Sequence, residues 1–228
     1  MKLRLARRHS LGNGAVILCG IRYTDIVRYQ IGIDEAGRGA LAGPVCVGVV
    51  LMPETFEWRE VFALITKRGA PKLRDSKQLT AQQREILYEY ITAHGSLRHA
   101  HALVEADAID AIGISNAARE AAAIALRAIV APWEGQTFPK ARVLLDAGLS
   151  VSAEWEQESF VKGDERIPVI ALASIIAKVS RDRHMDQLAL THQGYGFEQH
   201  KGYGTRAHYQ AIHAQGVSNQ HRRTFVHL

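Results

Sequence analysis

Cysteine is scarce in this chain of 228 residues: Cys19 and Cys46 are the only two, with no CxxC pair and no histidine partner at zinc-finger spacing. That excludes a disulfide framework, gives no support to a structural zinc site and fits a reducing intracellular compartment. Long apolar runs are also missing. The longest uncharged one, Pro44 to Pro53, is too short to cross a bilayer as a helix, so no membrane partner is expected. Internal repeats and low-complexity tracts are absent, so the chain reads as one unit. What is present is ordinary globular material, 47% hydrophobic and 22% charged, which argues against a disordered, collagenous or coiled-coil chain. At this length a core forms without covalent staples.

Negative charge is lacking at the start of the chain. Met1 to Tyr23 holds no acid, and residues 1–30 carry Lys2, Arg4, Arg7, Arg8, Arg22 and Arg28 against Asp25, which accounts for the whole net charge of +5. From Lys178 onward, basic residues again outnumber acids, and seven of the eleven histidines lie there. Basic ends around a more acidic middle suit a polyanion, and a solvated basic face accounts for them equally well. The apolar stretch Ala15 to Ile21 is too short for a secretory signal and no small-residue cleavage site follows it. An organellar transit peptide, an added basic arm, an extra strand and an upstream start codon remain open for this segment.

Tyr29 to Ile33 reads as a short strand, followed by the turn Ala36-Gly37-Arg38-Gly39 and a second strand, Val45 to Met52. The second is nearly all apolar, as a strand buried on both faces must be. Thr80 with Gln83 three residues later forms a capping box ahead of a helix. Leu97 to Glu105 alternates as a third strand, and Asn116 to Val130 is a packed helix stopped before Pro132. Arg142 to Asp146 is a buried strand ending in a carboxylate. Pro168 opens a long helix with an apolar stripe at Leu172, Ile175, Ile176 and Val179. Two antiparallel strands followed by helices alternating with strands predict an α/β fold, a mixed sheet with helices on its faces.

The acids fall where chemistry would put them. Asp34 and Glu35 follow a strand, Asp146 closes another, and Asp164 sits in the turn Lys162-Gly163-Asp164. If those strands are neighbours, the carboxylates converge, and divalent cations with oxygen ligands, Mg²⁺ or Mn²⁺, would relieve their repulsion. Two such ions would clamp the attacking and leaving oxygens of a phosphoryl displacement. Ordinary turn residues and helix caps account for the same acids. The glycines from Gly37 to Gly43 do not make a dinucleotide fingerprint, because the third falls one residue late and a strand follows where a helix is required.

The stretch Ile31-Gly32-Ile33-Asp34-Glu35-Ala36-Gly37-Arg38-Gly39, followed by Ala42-Gly43-Pro44-Val45, resembles the opening of the type 2 ribonucleases H, the ribonuclease HII family. The resemblance continues in order through Asp75 to Leu79, the Asn116 segment, Leu145-Asp146, Lys162 to Asp164, Ala173 to Asp182, His200 to Thr205 and His221 to Phe225. It implies a ribonuclease H-like mixed β-sheet flanked by helices, with a C-terminal helical region, over residues 29–228, and a basic extension over residues 1–28. It also implies Asp34, Glu35, Asp146 and Asp164 as catalytic metal ligands for two Mg²⁺ or Mn²⁺ ions. The expected reaction is hydrolysis 5′ to a ribonucleotide in RNA/DNA hybrids or in duplex DNA, leaving 3′-hydroxyl and 5′-phosphate ends. Such chemistry serves ribonucleotide excision repair and DNA replication in the cytoplasm. Gly37, Arg38 and Gly39 would read the 2′-hydroxyl, Tyr203 would pack on the neighbouring deoxyribose, and Ser76, Lys77, Asn116 and Ser174 would lie near the nucleic-acid backbone. Ala36 and Arg38 favour type HII over type HIII.

Three features depart from the family pattern. Ala147 intervenes between Asp146 and Gly148, Glu165 and Arg166 follow Asp164, and the basic arm has no counterpart in the shortest relatives. Ala147 is expected to tilt the turn holding Asp146, and the changes after Asp164 predict a displaced fourth ligand or an altered metal preference at most; the basic arm predicts added salt-dependent affinity for phosphates. The tail histidines His192, His200, His208, His213 and His221 are expected at the surface or on backbone contacts, not on a metal. Tyr195, Phe197, Tyr203 and Tyr209, interleaved with Lys201, Arg206 and His208, make a candidate stacking surface. A monomer is expected, and Phe225 to Leu228 is no clear clamp-binding peptide. Two alternative functions stand beside the main one: a DNA junction nuclease of the same fold, and a nucleic-acid binding module with a weakened catalytic site.

Overall fold

The computed structural model describes residues 28–65 and 79–227. Ser76, Lys77 and the extension up to residue 27 lie outside the described residues. Strands β1 (Tyr29–Ala36), β2 (Val45–Pro53), β3 (Arg98–Val104), β4 (Ala141–Asp146) and β5 (Gln157–Phe160) form one sheet in the order β3-β2-β1-β4-β5. Strand β2 runs antiparallel to both β1 and β3, while β4 lies parallel to β1 and β5 parallel to β4. The expected mixed sheet with helices on both faces is therefore present. Strand β1 runs three residues beyond the expected end at Ile33, so Asp34 and Glu35 lie inside it and point to opposite faces. Strand β5 has no apolar alternation and escaped prediction from the sequence; its ladder with β4 holds it.

The register sorts the side chains. Ile31, Ile33, Val47, Val49, Leu51, Val143 and Leu145 face helix α4 (Ile114–Val130), which meets them with Ala117, Ala118, Ala121, Ala122 and Ala125. Small residues on that face let the helix lie close to the sheet. The opposite face carries Val50, Met52 and Leu144 against helix α6 (Pro168–Thr191), with α1 (Arg59–Ile65) and α2 (Ala81–Ala93) beyond it. The Thr80–Gln83 capping box starts α2 as expected.

Helix α6 is buried well beyond the expected stripe, with Val169 to Ala177 all inside. It reaches the sheet through missing side chains. A Cβ on Gly48 would lie 2.3 Å from the Ala173 carbonyl oxygen and 2.6 Å from the Ala177 nitrogen. Gly48 pairs with Asp34 in the antiparallel register, so this close approach brings α6 down beside Asp34.

Two short helices complete the middle of the chain, α3 (Ala106–Ile112) and the single turn α5 (Gly163–Arg166), while α7 (Phe197–His200) and α8 (Arg206–Gln215) build the C-terminal region. That region is tied to the 38–44 loop by two fully buried arginines. Arg181 donates to the carbonyls of Pro44, Lys201 and Ala42 at 2.8, 2.9 and 3.1 Å; Arg222 donates to those of Gly43 and Arg38, each at 2.9 Å. Charged donors to carbonyls are the stronger kind of hydrogen bond, and here they offset the cost of taking guanidinium groups out of water. Among the described residues, no helix is long and apolar enough to cross a membrane.

Candidate active site

The parallel register pairs Ile33 with Leu145, so the next residues, Asp34 and Asp146, stand side by side on the sheet face that α6 covers. Asp34 is buried, and Ser174 of α6 hydrogen-bonds its carboxylate. Burial raises the Asp34 pKa well above the ordinary carboxylate range, and the neighbouring charges of Asp146 and Glu35 push the same way against the Ser174 bond. Glu35 points to the α4 face, where Arg38 reaches back to it at 3.2 Å and donates to Ser115 of α4 at 2.9 Å.

Asp164 arrives from α5. Lys162 adopts a left-handed conformation (φ 55°), and Gly163 then donates its backbone N–H to Asp146 Oδ1 at 2.7 Å, which places the buried Asp164 in the next position. A Cβ on Gly163 would meet the Ile170 side chain at 2.8 Å and Asp146 Oδ1 at 3.3 Å, so the turn packs closely against Asp146.

Asp34, Glu35, Asp146, Ser174, Tyr203 and the Ala36–Gly39 turn line one open pocket of about 500 Å³, together with Arg84 and Lys178. Asp164 is buried and is not among the residues that line it. Among the described residues, no three His, Cys, Asp or Glu side chains converge closely enough to form a ready-made cation cage. The donor set nevertheless fits a hard divalent cation: it consists of carboxylate oxygens, and burial, with the charges of Asp146 and Glu35 beside it, makes an ionised Asp34 costly unless a cation compensates it.

The remaining sequence candidates divide. The Gly37 turn is shaped for this position: its φ is +85°, and a Cβ would lie 1.9 Å from Arg181 Nε. Asn116 is exposed one residue past Ser115, donates to the Ile112 carbonyl and accepts from Arg119; it does not line the pocket. Glu165 pairs with Lys162 at 3.0 Å and Arg166 is exposed, while Asp146 keeps its place on the pocket with Ala147 after it. Of the tail aromatics, Tyr203 reaches the pocket, whereas Tyr195 and Phe197 stack on each other in the C-terminal core. The tail histidines do contact backbone, but His208 and His221 are fully inside, not at the surface. Burial lowers the pKa of both.

Sequence reading missed Arg84, Lys178, Ser115 and the two loop-holding arginines. A signal existed for α6: Ser174, Lys178 and Arg181 follow the spacing of four and three that puts residues on one helical face. Lys178 and Arg181 also lie 5.6 and 5.3 Å from the Tyr203 ring centre.

Solved structures with the same architecture are those of ribonucleases H. The PCNA:RNase HII complex of Archaeoglobus fulgidus gives a TM-score of 0.62 at 22% identity, covering 87% of this chain and 96% of that one. Bst-RNase HIII in complex with Mn²⁺ gives 0.62 at 18% identity, covering 86% and 67%. The sheet order thus defines a protein with the ribonuclease H fold. Residues 31–228 match the family Ribonuclease HII. Ribonuclease HII of Bacillus cytotoxicus is 38% identical over 200 residues, 88% of this chain and 69% of that protein. Ribonuclease HII of Geobacillus kaustophilus is 37% identical over 232 residues, 97% and 78%. The chain belongs to the ribonuclease HII family, and it is a ribonuclease H-type endonuclease.

Proposed function

We propose that this enzyme hydrolyses the phosphodiester on the 5′ side of a ribonucleotide, in RNA/DNA hybrids and in DNA duplexes with embedded ribonucleotides, leaving 3′-hydroxyl and 5′-phosphate ends. The observation that carries this is the side-by-side placement of Asp34 and Asp146 on one sheet face, beside a turn of backbone groups at Gly37 to Gly39 and the ring of Tyr203. Asp34, Glu35, Asp146 and Asp164 would hold two Mg²⁺ or Mn²⁺ ions. When bound, those ions supply the positive charge that polarises the scissile phosphate and the attacking water. Mn²⁺ is bound by the type HIII relative of the same fold.

The protein's own contribution is positional. Ser174 fixes the Asp34 carboxylate, the Gly163 amide fixes that of Asp146, and Arg38 holds Glu35 from the side of α4. The Gly37–Gly39 backbone would read the 2′-hydroxyl, which separates RNA from DNA. Arg84 and Lys178 on the pocket wall would hold phosphates, with Ser76, Lys77 and Asn116 along the strand beyond. The Tyr203 ring would pack on the deoxyribose that follows the ribonucleotide, selecting an RNA-to-DNA junction. Removal of misincorporated ribonucleotides during DNA replication, by a monomer in the cytoplasm, is the setting that suits this chemistry. A complex with PCNA is known for the Archaeoglobus fulgidus neighbour.

The test is a DNA duplex carrying one ribonucleotide, incubated with Mg²⁺ or Mn²⁺ beside all-DNA and all-RNA duplexes. Cleavage 5′ to the ribonucleotide that disappears in Asp34→Asn is expected. Cutting of all-DNA substrates would instead make the enzyme a junction nuclease, and binding without cutting would make it a weakened binding module.

A further inference from the structure

The C-terminal region contains a chain of hydrogen bonds that ends on the backbone of Tyr203 and that the reaction itself does not use. The Ser218 backbone N–H, 2.9 Å from His221 Nδ1, can only donate. Nδ1 of His221 therefore carries a lone pair, and the neutral ring has its proton on Nε2. That Nε2 faces His208 Nε2 at 3.1 Å, so His208 accepts there and carries its own proton on Nδ1. Nδ1 of His208 lies 3.0 Å from the Tyr203 carbonyl oxygen and donates to it. One fixed amide sets every proton in the series, and the series closes with both imidazoles neutral. The same amide excludes a metal on the pair, because His221 Nε2 holds a proton.

Tyr203 needs such a hold. It follows Lys201 (φ 50°) and Gly202 (φ 79°), two successive left-handed residues, of which the lysine is strained by its own Cβ. The turn is gripped at each end. Tyr203 N donates to the His200 carbonyl at 2.9 Å, Gly202 N donates to His200 Nδ1 at 3.2 Å, and the Tyr203 carbonyl receives His208 together with the Thr205 amide at 2.8 Å. The His200 ring stacks on that of His208 with centres 4.3 Å apart, and Phe197 meets both edge-on. His208 and His221 are fully buried, so water does not compete for these bonds.

We propose that His208 and His221 are positioning residues for substrate selection: a neutral two-histidine relay, anchored on the Ser218 amide, fixes the turn that presents Tyr203 to the pocket and so sets the preference for a ribonucleotide followed by deoxyribonucleotides. The proposal rests on the reading of Tyr203 given above. A proton added to His208 goes on Nε2 and sets two N–H groups nose to nose across 3.1 Å, and one added to His221 goes on Nδ1 and meets the Ser218 N–H across 2.9 Å; either breaks the relay. The groups around the pair make that proton unwelcome: His200 of α7 acts on both rings, His192 at the end of α6 acts on His221, Tyr195 packs against His221, and Arg222 follows it in the chain. Junction preference should accordingly weaken at acidic pH.

The experiment measures kcat/KM on two substrates, a DNA duplex with one ribonucleotide and a continuous RNA/DNA hybrid, from pH 4 to 8 in Mn²⁺. Their ratio cancels the titration of groups common to both reactions. For the native enzyme the ratio should hold through neutral pH and fall only as pH approaches 4, where His208 takes a proton. His208→Phe keeps a ring against Phe197 and His200 but has no donor; it should lower the ratio about tenfold at pH 7.5 and flatten its pH profile. His208→Asn, whose amide nitrogen replaces Nδ1 at the Tyr203 carbonyl, should restore most of the ratio while leaving the profile flat. Tyr203→Ala is measured alongside. If Tyr203→Ala lowers the ratio and a folded His208→Phe does not, the relay proposal is overturned while the reading of Tyr203 stands. If Tyr203→Ala leaves the ratio unchanged, the reading of Tyr203 falls and the proposal falls with it. Should His208→Phe not fold, His221→Gln takes its place; it loses the clean link to Ser218, and an unchanged ratio with an unchanged pH profile would overturn the proposal.

Discussion

Adding one methyl group at Gly48 tests how the fold builds the site. The Cβ of alanine there would meet the Ala173 carbonyl oxygen at 2.3 Å and the Ala177 nitrogen at 2.6 Å. An unstrained carbon–oxygen contact is about 3.3 Å, so the overlap is about 1 Å, and both clashing atoms belong to the backbone of one helix. No side chain can turn aside. Overpacking of this kind costs about 1–3 kcal/mol, and the backbone clash puts Gly48→Ala near the upper end. Retreat of α6 also weakens the bond from Ser174 to Asp34, which adds about 1 kcal/mol. The sum, about 4 kcal/mol, corresponds to a fall in Tm of about 10 °C for a chain of this size. Urea or thermal denaturation reads the first effect and ribonucleotide-duplex cleavage reads the second, with activity expected to drop even where the variant is fully folded. Gly95→Ala is the control, since a Cβ there meets nothing within 4 Å. A loss below about 1 kcal/mol for Gly48→Ala, with cleavage intact, would refute the claim that α6 seats on the sheet through this glycine.

Further outcomes are expected elsewhere. Asp34→Asn should abolish most cleavage, by about 10³-fold, while raising Tm in the presence of a chelator. The sign follows from the raised pKa of Asp34: the folded state holds that proton more tightly than the unfolded chain, so ionisation at neutral pH works against the fold, and the amide removes that strain. A lower Tm in the chelator would contradict it. The pKa of His208, pushed down to about 4 by burial, makes stability run the other way with pH. Its contribution is complete above the ordinary histidine value of 6.5 and is lost as pH falls toward 4, by about 3 kcal/mol, because the unfolded chain takes the proton first. His208→Phe should flatten the difference between denaturation curves at pH 7 and pH 4.5; an unaltered difference would show that other groups cause it. Arg222→Lys keeps a charge but cannot serve the Gly43 and Arg38 carbonyls together, so it should cost about 2 kcal/mol and lower kcat/KM by releasing the turn at Arg38. Full retention of both would remove Arg222 from the account of that turn.

The route from residues to site was short for the acids and long for their surroundings. Apolar alternation and the buried run of β2 gave the strands, the capping box gave the start of α2, and the motif order gave the family. Asp34, Glu35 and Asp146 could be named because carboxylates at the end of an apolar strand have few structural uses. The end of β1 was misjudged because a polar pair inside a strand looks, in sequence, like the turn after it. Only pairing with Val47 and Gly48 shows that the ladder continues.

What the chain determined by itself was local: which segments are strands or helices, which acids stand at their ends, and which glycines leave room for close approach. Tertiary structure alone decided that Asp34 and Asp146 share a face, that Glu35 takes the other, that Asp164 is buried, and that Arg181, Arg222, His208 and His221 are buried braces and not surface charges. The physical reason is range. Propensity and periodicity act over a few residues and leave a record in sequence, whereas register between strands more than a hundred residues apart, and the burial of an arginine against carbonyls from a distant loop, exist only once the sheet has closed.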